Sequence, residues 1–415
     1  MKAIAWEFTP FRYVNGKALG GVTGSAVYGR LSGLRKRDLP LPTLPGPEWV
    51  RLRVESCGIC GTDIGSLNLA SSTALEPFAS FPAVLGHEIL ARVEEVGPEV
   101  TRVRPGDRVV VDPLVSCQVR GYARESWCGS CANGLPATCA RQGDEGVTQV
   151  DGRALAPGMT MGYHRDLPGG WGERTIVHQS QLFRVSEELD DRTAVLAEPL
   201  SIALHAVLAS RPPEGGPVLV IGSGTVALAT IWALRATGYT GPLFAQAKRP
   251  HEQKLARELG ASQVIAPGEQ AREALMGTGT RAYKPSIGNE VYAGGGFPLI
   301  FDCVGRPGSF TQALQYASPR GRVVMLGCAG SMPRLDLTWI WAREIEVRGF
   351  VGYGTERWRG ERLHTFEIAL RLMEESAAPL HKIVTHAFPL DQYRDALNAA
   401  DDHRISGAIK VVLKP

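Results

Sequence analysis

The stretch that most limits what this chain can become is Val218-Leu-Val-Ile221, followed at once by Gly222-Ser-Gly224-Thr-Val-Ala227 and an apolar run to about Thr237. Four consecutive aliphatic residues predict a buried strand, and the glycines predict a tight turn that opens a helix. A second strand at Leu243 to Ala247 and a helix to Leu259 complete a βαβ unit, which commits this part of the chain to a parallel, doubly wound sheet. The turn is the Ala form of the GxGxxG dinucleotide fingerprint. Gly222 and Gly224 let a pyrophosphate approach the helix N-terminus at Thr225 and Val226, where backbone N–H groups point at it. Alone the pattern is weak; between a strand and a helix it has the setting that the chemistry needs. The same window, Pro217 to Leu234, nears the length of a membrane span, but its interruption at Gly222-Ser-Gly224-Thr225 favours strand, turn and helix.

The end of the second strand bears on which dinucleotide would bind. A site for NAD usually places an Asp or Glu there for the ribose hydroxyls, yet no acid lies between Glu214 and Glu252. Ala247-Lys248-Arg249 stands in its place. Two cations suit a 2′-phosphate and favour NADP over NAD, unless both are simply solvated at a helix start. Glu252 lies too far into the next helix to be the first choice for the missing ribose ligand. Further strands are predicted at Leu299 to Val304, Arg322 to Gly327 and Val347 to Val351, with a helix from Ser309 to Ala317. Residues 267–297 are predicted to be a long polar connection, a lid or an interface loop.

The first 110 residues have a different grain. Val50 to Ser56 and Ile89 to Val96 alternate, Arg108 to Asp112 is a short β-branched run, and Gly97-Pro98 and Pro105-Gly106-Asp107 reverse the chain. Residues 12–47 hold many Gly and Pro without a clear period, which predicts surface loops around short strands. Chemistry-bearing residues follow. Cys57-Gly-Ile-Cys60-Gly-Thr62-Asp63 sets a thiol, a hydroxyl and a carboxylate in one turn; a metal site, a redox pair and half of a zinc ribbon all fit the spacing. His87-Glu88 stands just ahead of a strand, where His87 is either a ligand or a hydrogen-bonded structural histidine. Cys117, Cys128, Cys131 and Cys139 offer the four thiolates of a closed tetrahedral zinc site, although ten residues separate the first two, which leaves a three-cysteine or empty site open; a nucleic-acid zinc ribbon is disfavoured because 112–147 is not notably basic. In Ala197-Glu198-Pro199-Leu200 a carboxylate lies in an apolar setting and needs a cation, a metal or a hydrogen-bonding partner. After Glu346, helices at Thr365 to Glu375 and Leu390 to Ala399 and a strand at Ala408 to Leu413 can return to complete the first domain.

Composition sets the limits. A chain of 415 residues is too long for one ordinary core, and 44% hydrophobic content fills two. A net charge of +3 from nearly balanced acids and bases gives no footprint for nucleic acid or membrane. Arg35-Lys36-Arg37 reads as a solvated loop or strand edge. Eight cysteines, with no charged and apolar leader ahead of them, do not suggest a secreted disulfide framework, so a reducing cytoplasm is the expectation.

Taken in order, GICGTD with Cys60, GHE with His87 and Glu88, GDRV at Gly106 to Val109, the cysteine loop, EPL at Glu198 and the nucleotide turn resemble the zinc-dependent medium-chain dehydrogenase/reductase superfamily over essentially the whole chain. EPL resembles the polyol, sugar and threonine dehydrogenase branch. The resemblance implies an α/β protein. A GroES-like β-barrel catalytic domain would span 1–205, completed by 346–415, and a Rossmann domain with a doubly wound parallel sheet would span 206–345. It implies catalytic zinc on Cys60 and His87, with Glu88 and Glu198 as direct or water-mediated ligands. Thr62 would take the substrate proton, and Asp63 would orient His87 through its far ring nitrogen. Cys117, Cys128, Cys131 and Cys139 would hold structural zinc, and Cys57, Cys303 and Cys328 would be packed thiols. The implied activity is NAD(P)-linked oxidation of a small-molecule secondary alcohol, polyol or sugar, or the reverse, because zinc with an open coordination position lowers an alcohol's pKa and favours hydride release to the nicotinamide. Homodimers or homotetramers are implied by the same likeness. A primary-alcohol dehydrogenase or aldehyde reductase and a non-catalytic nucleotide-binding relative are the alternatives. The chain departs from the family pattern at Gly65, where members often carry the outer histidine of a proton relay. It departs again in the Cys117 to Cys128 insertion and in residues 13–37 and 267–297, which are expected to reshape a cleft mouth or a subunit contact.

Overall fold

The computed structural model describes residues 1–19, 28, 29, 32–328 and 330–415. These form two compact units: Met1–Glu198 with Gly352–Glu374 and Val384–Pro415, and Pro199–Val351 with Glu375–Ile383. No described helix is long and apolar enough to cross a membrane.

The first unit is built around the strand Trp49–Gly58, whose Val50, Leu52 and Val54 are buried. Its neighbours run in the order Leu182–Arg184, Arg108–Val111, Glu88–Val96, Trp49–Gly58, Lys410–Lys414, Val384–Pro389, and Arg174–His178 pairs with Trp49–Gly58 as well. A three-stranded sheet, Leu34–Asp38, Lys2–Trp6 and Ala83–Val84, lies beside it in the chain's first hundred residues. Arg35-Lys36-Arg37 occupies its exposed edge strand, where Lys36 pairs with Asp391 and Arg37 with Glu7.

Residues 12–47 are less irregular than their composition suggests. Pro10–Leu19 is a helix. The Thr9 hydroxyl accepts the Arg12 N–H at 3.2 Å, and proline at the first helical position has no N–H to leave unmet. Residues 20–27, 30 and 31 of the expected 13–37 insertion lie outside the described residues. A further hairpin, Thr355–Trp358 with Glu361–His364, went unpredicted.

The second unit carries a six-stranded sheet in the order Gln263–Ile265, Leu243–Gln246, Val218–Ile221, Phe297–Asp302, Ala317–Met325, Glu346–Gly349, every pair parallel. Counted along the unit, that is the doubly wound order 3-2-1-4-5-6. The expected long loop at 267–297 is instead a helix, Glu269–Met276, and a two-stranded ribbon, Thr280–Tyr283 with Val291–Gly294. Arg272 braces the ribbon through Glu290 at 2.8 Å. The polarity that suggested a loop belongs to a ribbon exposed over much of its surface.

Candidate active site

Cys60 caps the helix Gly61–Leu67, which starts directly after the strand Trp49–Gly58. Asp63, in the helix's first turn, folds back so that its Oδ2 accepts the Cys60 N–H at 2.9 Å. Sheet register then sets Gly58 opposite Glu88, which carries His87 and Glu88 to the same place. Gly58 is glycine for a steric reason: an added Cβ would lie 1.8 Å from Glu88 Oε2. One ligand atom from each of Cys60, His87 and Glu88 lies within 4.8 Å of the others. His87 Nδ1 faces Asp63 Oδ1 at 3.7 Å and has no closer hydrogen-bond partner among the described residues, while Asp63 itself is fully buried. Burial raises the Asp63 pKa, against the pull of His87 and of two hydrogen bonds.

Lys410 completes this layer. Its ammonium donates to both Glu88 oxygens, at 2.6 and 2.7 Å, and to the Ile59 carbonyl at 3.0 Å. Glu198, at the start of the helix Ala197–Ala209, is 5% exposed. Its Oε1 accepts the Tyr353 hydroxyl at 3.1 Å, and its Oε2 is buried with no hydrogen-bond partner among the described residues. Burial pushes the Glu198 carboxyl up to about 7, with His87 and Lys410 pulling the other way. The Thr62 hydroxyl oxygen is likewise buried and unpartnered. Such groups cost about 1–3 kcal/mol each when left unmet. A cation among a thiol, an imidazole and carboxylates offsets that cost, so zinc fits this donor set. Glu198 stands outside the cluster formed by Cys60, His87 and Glu88.

The second cysteine group closes despite its insertion. All four ligand atoms of Cys117, Cys128, Cys131 and Cys139 lie within 4.8 Å of one another. The N–H groups of Cys117, Cys128, Cys131, Ala140 and Arg141 each point at one of these sulfurs, at 3.4–3.5 Å. Donors converging on sulfur suit thiolates, and four thiolates fit a closed zinc site. The inserted residues are carried by buried Arg120, which donates to the carbonyls of Asp144, Gln142 and Gly158. Cys57 is buried and Cys303 half-buried, but Cys328 is exposed, which corrects its expected packing.

At the dinucleotide turn, Gly222 has a φ of +119°, a conformation that side chains resist, and Gly224 caps the helix Thr225–Ala236 with open space where a Cβ would be. The open glycine and the helix N-terminus suit a pyrophosphate. Lys248 is exposed, and among the described residues it makes no ion pair. Arg249 is already paired, with Glu252. Glu252 was set aside as too distant, but its Oε2 takes the Ser223 hydroxyl at 2.6 Å. Capping geometry returns that side chain to the start of its helix, and the helix starts beside the turn.

Sequence reasoning missed Lys410, Tyr353 and Tyr163, whose hydroxyl donates to Asp63 Oδ1 at 2.7 Å. None lies in a local motif.

A nucleotide sheet of this order, joined in one chain to a β unit bearing a thiol, imidazole and carboxylate cluster, defines a metal-dependent dehydrogenase. Residues 46–187 match the family model for the alcohol dehydrogenase GroES-like domain and residues 225–367 that for zinc-binding dehydrogenase, together more than half of the chain. The chain belongs to the zinc-dependent medium-chain dehydrogenase/reductase superfamily and is an NAD(P)-dependent oxidoreductase of the alcohol dehydrogenase kind. It is 27% identical to L-idonate 5-dehydrogenase of Vitis vinifera over 96% of each protein. It is 28% identical to (R,R)-butanediol dehydrogenase of Bacillus subtilis, over 83% of this chain and 86% of that one. A zinc-binding dehydrogenase from Sinorhizobium meliloti 1021, bound to NADP, shares the fold with a TM-score of 0.71 at 24% identity, covering 100% of this chain and 99% of the other.

Proposed function

We propose that the protein oxidises a secondary alcohol, polyol or sugar, or reduces the matching ketone, with NADP favoured over NAD. The observation that carries this reading is the meeting of half-buried Cys60 with buried His87 and Glu88 in one cluster, in the same unit as the oxygens of Glu198 and Thr62 that have no partner among the described residues. Residues 1–205 with 346–415 serve catalysis, and 206–345 bind the dinucleotide. Zinc, when bound, polarises the alcohol oxygen and lowers its pKa, and the nicotinamide takes the hydride.

The rest is the work of this chain's own groups. Cys60 and His87 hold the ion, and Glu198 offers it Oε2 directly or through water. Glu88, with both oxygens on Lys410, acts from one layer out. Thr62 Oγ1 takes the substrate proton. Gly65 supplies no imidazole for the next transfer; a Cβ there would stand 3.3 Å from Ser71 Oγ, which bonds Ser66 Oγ at 3.1 Å, so these hydroxyls lie where the relay would pass. The four-cysteine cluster holds structural zinc. Gly222, Gly224, Thr225 and Val226 receive the pyrophosphate, and Lys248 meets the 2′-phosphate, joined by the part of the Arg249 guanidinium that Glu252 leaves open. Eight cysteines with no disulfide among the described residues suit a reducing cytoplasm, and the edge strand Glu346–Gly349 offers a contact for a homodimer or homotetramer.

The test is nicotinamide absorbance across a panel of alcohols, polyols and aldehydes with zinc-loaded protein. Cys60→Ser should abolish turnover and leave cofactor binding intact; retained turnover refutes the metal assignment. Lys248→Ala with Arg249→Ala should weaken NADP far more than NAD, and equal effects refute the 2′-phosphate role.

A further inference from the structure

The segment 161–172 packs against the turn that carries His87 more closely than side chains would allow. Gly162 has a φ of +85°, and a Cβ there would come within 3.0 Å of the Gly86 carbonyl oxygen; at Gly169 it would come within 2.3 Å of the same oxygen, and at Gly170 within 2.7 Å of Cys57 Sγ. Backbone bonds lock the contact. Gly169 N–H donates to Val84, Gly170 N–H to Gly86 and Trp171 N–H to Leu85, at 2.8, 2.8 and 2.9 Å. Close backbone packing of this kind leaves little room for the segment to shift.

Tyr163 stands on that platform. Its carbonyl accepts the Ser80 N–H at 3.0 Å, its ring lies 6.1 Å from the His87 ring between centroids, and its hydroxyl donates to Asp63 Oδ1 at 2.7 Å. That oxygen is the one facing His87 Nδ1. Asp63 therefore has two struts: the Cys60 N–H on Oδ2 and the Tyr163 hydroxyl on Oδ1.

We propose that Tyr163 is a positioning residue of the catalytic metal centre: its hydroxyl fixes the plane of the Asp63 carboxylate, and through it the orientation of the His87 imidazole toward the metal. This rests on the reading of Cys60 and His87 as metal ligands. The terminal torsion of an aspartate is soft and roughly two-fold, so one strut lets the carboxylate turn and two do not. Outer partners of a ligating histidine typically carry about 10–100-fold in metal affinity, and Tyr163 acts one step further out, at the lower end of that range.

The experiment uses the full chain, with Tyr163→Phe, Asp63→Asn and the double variant, after metal-free folding is checked by circular dichroism. Zinc affinity is read by chelator competition, and the visible spectrum is read with cobalt in the catalytic site and zinc kept in the four-thiol cluster. Tyr163→Phe should weaken zinc at the catalytic site by about tenfold and shift the cobalt bands. In the Asp63→Asn background it should add nothing. Wild-type affinity with an unchanged cobalt spectrum overturns the proposal, and so does a full effect that persists without Asp63. If Tyr163→Phe does not fold, replacing Tyr163 by 3-fluorotyrosine keeps the ring and changes the donor strength of its hydroxyl; unchanged cobalt bands then overturn the proposal. Wild-type protein that takes zinc only at the four-thiol cluster fails the catalytic-metal reading itself, before any variant is compared.

Discussion

Replacing Lys410 by methionine asks how far the centre depends on one distant cation. The ammonium lies 2.6 and 2.7 Å from the two Glu88 oxygens, and the side chains are 4% and 1% exposed. At an effective dielectric of about 20, unit charges about 3 Å apart attract by roughly 5–6 kcal/mol. In the intact pair, desolvation of both ions offsets most of that attraction. Removing lysine alone abolishes the attraction and leaves Glu88 buried, so the loss should be about 3–5 kcal/mol. Removing both charges, as Lys410→Met with Glu88→Gln, should recover most of it. The assay is urea unfolding of metal-free protein at neutral pH, followed by tryptophan fluorescence. Trp171, fully buried with its Nε1 3.5 Å from the Gly58 carbonyl, reports on this region. A loss below about 1 kcal/mol, the range of an exposed pair, refutes the reasoning, as does a double variant no better than the single one.

His164 predicts a pH dependence. Its Nε2 bonds the Ala156 carbonyl at 2.9 Å, its Nδ1 accepts the Asp166 N–H at 3.2 Å, and burial drags its pKa from 6.5 to about 4. The unfolded chain takes up this proton first as pH falls. The stability is therefore fully present above about pH 6.5 and lost toward pH 4, amounting to about 3 kcal/mol. His164→Gln should flatten the urea midpoint across that window; an unchanged slope refutes the assignment. Cys128→Ser should remove the structural zinc and leave the other ion in place, as metal analysis by mass spectrometry would show. Tyr353→Phe removes a bond that favours ionised Glu198, so protons should compete with zinc at a higher pH than in the wild type. An unmoved pH dependence of zinc affinity would separate Tyr353 from the metal.

What could be read in the sequence was whatever neighbouring residues encode. The turn at Gly222, the thiols from Cys117 to Cys139 and the capped Cys60 each declare themselves within a short stretch. The partners that make these chemistry are far away: Lys410 reaches Glu88 across 322 positions, Tyr353 reaches Glu198 across 155 and Tyr163 reaches Asp63 across 100. Sheet register and loop packing make those meetings, and one sequence does not reveal register. Local errors have local causes. Thr9-Pro10 is a helix start, but Gly16 and the absence of an apolar period hid the helix behind it. Glu252 was judged by its distance along the chain, although a capping side chain points back to where its helix begins.

The two candidate metal centres differ in when a growing chain can build them. All four sulfurs of the thiol cluster are synthesised once Cys139 has been made, so this knot can close on the ribosome while later residues are still being added. The other centre cannot: Cys60, His87 and Glu88 come early, Glu198 later, and the Lys410 ammonium that neutralises Glu88 arrives only with the strand Lys410–Lys414. Nascent chains stalled before that strand should therefore hold zinc at the thiols, while the other centre still lacks the Lys410 and Val411 contacts that hold Ile59, the neighbour of Cys60.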